Sequence, residues 1–220
     1  VADVRREGTA GLVGAIERFE RRAGDPVLLD RAELKAAFLR LEPETRALLE
    51  RTRDRIARFA RAQVACLSPL EVEIEGGRAG HDLSPVERAG CYAPGGNFPL
   101  PSSVLMTAVT ARVAGVRSVV VATPSNDDRM LGAAWLAGAD QLLWTGGAHA
   151  ISALAYGVEG LDPVDIIVGP GNRWVTAAKA LVVGRVGIDM LAGPSELVVA
   201  ADASAPGIGI GIGKYYINIT

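Results

Sequence analysis

Three segments in the first third of the chain carry apolar residues three and four positions apart, the spacing that gathers them on one face of an α-helix. They cover roughly 10–22, 32–40 and 43–65. The third opens on Glu42-Pro43-Glu44. Proline suits a first helical turn, where its missing N–H would have no intrahelical partner, and acids suit the positive end of the dipole. Next, "LEVEIEGG" at 70–77 alternates apolar and acidic residues, which predicts a half-exposed strand.

After "VERAGCYAPGG" the pattern changes. The runs "VRSVVVAT", "ADQLLWTG", "VDIIVG" and "ELVVAAD" are short and nearly all apolar, with helix-patterned stretches between them. Strands without a polar face need cover on both sides, as in a parallel sheet between two helical layers. The predicted fold class is therefore α/β: a Rossmann-like parallel sheet with helices on both faces, preceded by a helical segment. The usual dinucleotide fingerprint is absent.

In open sheets of this kind, ligands sit beyond the carboxyl ends of the strands. Four loops fall there: "YAPGGNFPLPSS", "TPSND", "TGGAHA" and "GPGN". Asn172 is placed at the cap of the following helix, whose unpaired N–H groups favour anionic oxygens. The same Gly-Pro-Gly-Asn is equally an economical strand-to-helix turn. Residue by residue, other readings stay open. Tyr92 suits a core or rim aromatic, His149 a capping or solvent-facing residue, and Ser195 a turn former after Gly-Pro. Lys179 lies two turns along the helix from Asn172 and is expected on the surface, away from the glycine loop.

A net charge of −2 gives no overall field to collect nucleic acid or anionic lipid. The arginines between 40 and 61 share a helix with Leu48, Leu49, Ile56 and Phe59 and read as its solvated face. No apolar run approaches the roughly eighteen residues of a membrane helix. Cys66 and Cys91 are far apart and read as buried thiols of a cytoplasmic protein. No paired ligand spacing such as HxxxH or CxxC occurs, so no metal site is expected.

Taken in order, "CYAPGGNFPLPSSVLMTAVTARVAGV", "ADQLLWTGGAHAISALAYG", "VDIIVGPGNRWVTAAKALVVG" and "VGIDMLAGPSELVVAADASA" resemble the histidinol dehydrogenase family. The opening "VADVRREGTAGLVGAIERFERR" is similar too, with Thr9 where an acid is more common. The resemblance covers the chain to Ala205, about half of a typical member. It implies an NAD-dependent, zinc-containing homodimer that oxidises L-histidinol through histidinal to L-histidine, the last step of histidine biosynthesis. It further implies that Tyr92 and Asn172 contact NAD and Ser195 contacts substrate. His149 stands where the family usually has a glutamine that also contacts the cofactor, and it brings a titratable ring.

The resemblance implies a division into 1–91 as the helical part of an incomplete second domain, 92–196 as the NAD-binding domain, and 197–205 as a strand returning to the second. Residues 206–220, "PGIGIGIGKYYINIT", break from the arginine-rich composition before them and read as an atypical tail. The family's zinc ligands and acid–base pair lie downstream of the "GPSE" strand. No catalytic residue or zinc ligand is therefore assigned here, and the chain is expected to be a truncated, inactive form. Two alternatives remain: a related zinc and NAD dehydrogenase for another polar alcohol such as a sulfonated diol, and a noncatalytic nucleotide-binding or dimerisation remnant.

Overall fold

A computed structural model of the protein describes residues 1–95 and 98–191. Its centre is a six-stranded sheet in the order β1-β6-β5-β4-β7-β8. The strands are β1 (Leu28–Asp30), β4 (Arg88–Tyr92), β5 (Ser118–Thr123), β6 (Gln141–Trp144), β7 (Ile166–Val168) and β8 (Gly187–Ile188). All pair in parallel except β1, which runs antiparallel to β6 with Leu29 opposite Leu142.

The apolar runs are explained by burial on both faces. Along a strand, side chains alternate between the two sides of the sheet. Val119, Val121, Cys91 and Leu142 enter one core, while Val120, Ala122, Tyr92 and Leu143 enter the other. The first core packs under α3 (Arg31–Arg40), α4 (Pro43–Ala65), α5 (Pro101–Val113) and α6 (Asp128–Leu136). The second packs under α1 (Ala2–Glu7), α2 (Thr9–Glu20), α7 (Gly147–Tyr156) and α8 (Arg173–Val182).

Several helix starts follow from local chemistry. Asp30 and Glu33 form a reciprocal capping box at α3, with the Glu33 N–H donating to Asp30 at 2.9 Å and the Asp30 N–H donating to Glu33 at 2.7 Å. Asp127 accepts from the Arg129 N–H to cap α6. Pro43 occupies the first turn of α4, as its sequence indicates.

The amino-terminal helices share the cores of the sheet. β1 belongs to that sheet, Leu34 and Leu49 join the core that holds Val104 and Val119, and Leu12 joins the core that holds Ile151. The expected boundary between 91 and 92 falls within β4, the strand flanked by β5 and β7. The strand expected at 70–77 forms the hairpin β2 (Leu70–Ile74) and β3 (Gly77–His81). It is exposed on both faces rather than one. Of the two cysteines expected to be buried, Cys91 is buried in β4, whereas Cys66 is exposed where α4 ends. Burial pushes the Cys91 thiol up to about 12, so it stays protonated and inert. The strand expected at 196–202, the division at 197–205 and the tail at 206–220 lie outside the described residues.

Leu105, fully buried between α5 and the sheet, tests this packing. Leu105→Ala removes apolar contacts and leaves a cavity, and is expected to lower stability by about 2–5 kcal/mol. Urea denaturation followed by circular dichroism measures it.

Candidate functional site

Chain order and strand order together set one reversal point in the sheet. From β4 the chain moves outward through β5 to β6, then returns to place β7 on the other side of β4. In open sheets of this kind, the loops at such a reversal turn to opposite sides and ligands usually sit between them at the carboxyl edge. Tyr92 ends β4, and Gly169 follows β7 directly beside it. A Cβ on Gly169 would overlap the Tyr92 carbonyl, and its φ of +119° is also one that side chains disfavour.

Tyr92 is buried, and its hydroxyl accepts a hydrogen bond from the Gly147 N–H at 3.1 Å. Burial raises its phenol above the ordinary value. The β4 strand end is thereby joined to the loop that opens α7. In the first turn of α7 the His149 Nε2 lies 2.9 Å from Glu20 Oε1. Glu20 also accepts from the Thr145 hydroxyl and, at 2.9 Å, from the Gly146 N–H. Burial alone would raise the Glu20 carboxyl, but bonds from His149, Thr145 and Gly146 outweigh it and bring the group from 4.5 down to about 2.

Asn172 caps α8. Its Oδ1 accepts from the N–H groups of Trp174 at 3.0 Å and Val175 at 3.1 Å. The side chain is exposed, and among the described residues its Nδ2 amide has no hydrogen-bond partner. Tyr92 and His149 are thus linked through one loop, while Asn172 stands on the neighbouring one. Ser195 lies outside the described residues.

Lys179 is not on the surface. It is 3% exposed, and its Nζ donates to the Gly169 carbonyl and to Asp189 Oδ1, each at 2.6 Å. Asp189 Oδ2 accepts from the Gly169 N–H at 2.8 Å. Helical side chains lean toward the amino terminus, so the long lysine stem runs back along α8 to the glycine loop. Val175, Ala178 and Val182 are buried on the same helix. Reading Lys179 as a member of that apolar stripe would have signalled its burial. Glu20 had no comparable signal, being 129 residues from His149 in sequence.

A groove of about 600 Å³ lies between α5 and α8 and reaches Gly169, Gly171, Lys179 and Asp189. Its lining is mainly apolar, and it includes none of Tyr92, His149 and Asn172. Among the described residues no group of three or more His, Cys, Asp or Glu side chains could hold a metal ion. No described helix is long and apolar enough to cross a membrane.

The family model for histidinol dehydrogenase matches residues 1–210. The chain belongs to the histidinol dehydrogenase family. The match runs past Ala205, where the resemblance in sequence was expected to end. The chain is 46% identical over 215 residues to histidinol dehydrogenase of Rhodopseudomonas palustris, with 93% of this chain and 49% of that protein covered. Against the Chromobacterium violaceum protein it is 44% identical over 210 residues, covering 92% and 48% respectively. The crystal structure of histidinol dehydrogenase from Elizabethkingia anophelis superposes with a TM-score of 0.80 at 31% identity, covering 88% of this chain and 46% of that one. The chain spans about half the length of the histidinol dehydrogenases it matches.

The half-buried Glu20 and the more exposed Asp189 make acid stability a test of this geometry. Burial works against the Asp189 charge, but bonds from Lys179, Gly169 and Met190 outweigh it and hold the carboxyl below its ordinary 3.8. A depressed carboxylate contributes stability at pH above its unfolded value and loses it as pH falls through the folded one. Stability is therefore expected to decline below pH 4.5 for Glu20 and below 3.8 for Asp189. Lys179→Met should cost about 2–4 kcal/mol, toward the low end for a buried pair because Asp189 keeps some solvent, and Glu20→Gln should flatten part of the acid decline. Urea titrations from about pH 2 to pH 7, a range that spans both the ordinary and the lowered Glu20 values, measure both effects.

Proposed function

We propose that this chain carries the NAD-binding portion of a histidinol dehydrogenase. The reaction of the whole protein is the NAD-dependent oxidation of L-histidinol through histidinal to L-histidine, carried out as a homodimer in the cytoplasm. The observation that supports it best is the reversal of strand order between β4 and β7. The loops carrying Tyr92, His149 and Asn172 all leave the carboxyl edge of that sheet. Family membership supplies the substrate class.

NAD fits this edge because the exposed Asn172 side chain, with Oδ1 committed to the α8 cap, offers its Nδ2 amide as a donor there. When bound, NAD supplies the hydride acceptor. The chain's own residues bind and orient it. Asn172 donates through Nδ2 while Oδ1 keeps the helix cap, and Tyr92 fixes the Gly147 loop from below. His149 offers its ring at the third contact, and Ser195 is assigned to the substrate. Zinc does not fit the described residues, since among them no group of three or more His, Cys, Asp or Glu side chains could hold a metal ion.

Asn172 separates capping from ligand contact. Serine can keep the cap but has no amide donors, so Asn172→Ser should preserve helix stability within about 1 kcal/mol. It should weaken NAD about tenfold, the worth of roughly one hydrogen bond to a charged group. Calorimetry checks the affinity, and equal NAD affinity in the two proteins would remove Asn172 from the contact set.

A polypeptide of these 220 residues is expected to bind NAD yet form no NADH from L-histidinol with added zinc. Mixing it with the carboxy-terminal half of a full-length relative should restore turnover. Absorbance at the NADH band follows both reactions. Turnover by the purified chain alone would place the acid–base chemistry within these residues.

A further inference from the structure

The end of α2 reaches across the molecule to the loop that opens α7, and what it brings there is a charge. Glu20, the last residue of α2, is held in place by more than its three donors. Arg22 approaches its Oε2 at 3.3 Å, donates to the Trp144 carbonyl, and stacks its guanidinium over the Trp144 ring at 3.9 Å. Phe19, one residue earlier, lies near-parallel to the His149 ring, with centroids 6.1 Å apart. The carboxylate is therefore fixed relative to the strand end, and the imidazole relative to the carboxylate.

An ionised carboxylate only accepts hydrogen bonds. The 2.9 Å contact between Glu20 Oε1 and His149 Nε2 consequently requires the hydrogen to sit on Nε2. In a neutral imidazole the other nitrogen, Nδ1, is then a bare acceptor. That edge of the ring faces Gly147. A Cβ there would stand 3.4 Å from His149 Cε1 and 3.6 Å from Nδ1, so the glycine keeps a side chain off this edge of a ring that is 11% exposed.

We propose that Glu20 is a positioning residue that locks neutral His149 as its Nε2–H tautomer and presents Nδ1 as an acceptor to the nucleotide. The matching ligand group is a neutral hydrogen-bond donor, a hydroxyl or amide N–H, and not a phosphate oxygen. This rests on the NAD-binding reading, but the tautomer is a property of the protein alone.

The chain has two histidines, His81 and His149, and His81 lies on the exposed hairpin. Selective ¹⁵N labelling therefore gives two resolvable rings, assigned with His81→Gln. At about pH 8.5, well above the ordinary imidazole value, long-range ¹H–¹⁵N spectra distinguish the nitrogen that bears hydrogen from the one that does not. For His149 the hydrogen is expected on Nε2, with Nδ1 moving toward the hydrogen-bonded position on saturation with NAD. Glu20→Met should populate both tautomers and weaken NAD about tenfold or less, since one hydrogen bond is at stake. A hydrogen on Nδ1 in the unmodified protein would overturn the proposal, whatever the variant does. So would an Nδ1 resonance that stays still while NAD saturates the protein. If the unmodified protein shows the Nε2–H tautomer but binds no NAD, the clasp stands, and it is the nucleotide reading that fails.

Discussion

Everything at the carboxyl edge depends on β4 being flanked on its two sides by strands reached in opposite directions. A strand buried on both faces and hydrogen-bonded on both edges has no freedom to shift. Tyr92 at its end is accordingly a fixed point from which two loops are measured. One is reached through backbone contact with Gly169, the other through the Tyr92 hydroxyl and the Gly147 N–H. Gly90 extends the constraint to the helical layer, since a Cβ there would meet both methyl groups of Leu154 at 3.0 Å.

The two loops are then braced by a buried lysine and a half-buried carboxylate, charges of opposite design. At the β7 loop a lysine reaches back along its own helix, and Asp189 answers it while holding the Gly169 N–H. At the β6 loop a carboxylate arrives from α2 and collects three donors. Each charge is costly to bury, and each is retained because several hydrogen bonds converge on it. Such bracing positions a site to a fraction of an ångström more readily than packing does, because hydrogen bonds have direction. It also explains why an exposed loop residue such as Asn172 can be presented in one orientation: its Oδ1 is already committed to the helix.

The amphipathic spacing in 32–40 and 43–65 located α3 and α4, and Pro43 marked where α4 begins, because these signals are local. The apolar runs located β5, β6 and β7, and double-sided burial follows from their lack of a polar face. Asn172 was legible as a helix cap from its place after Gly-Pro-Gly. Two strands of the sheet were less legible. β4 reads "RAGCY", too mixed to stand out, and β1 has three residues. Both are strands because their neighbours supply the hydrogen bonds.

The sequence by itself determined the helices, the central parallel strands, the loops that carry Tyr92, His149 and Asn172, and the family. All of these are recorded in spacings of a few residues or in motifs read as strings. The tertiary structure alone decided that Cys66 is exposed and that Glu20 meets His149. Each of those depends on which surfaces come together, and a side chain's partner 129 positions away leaves no trace in the residues beside it.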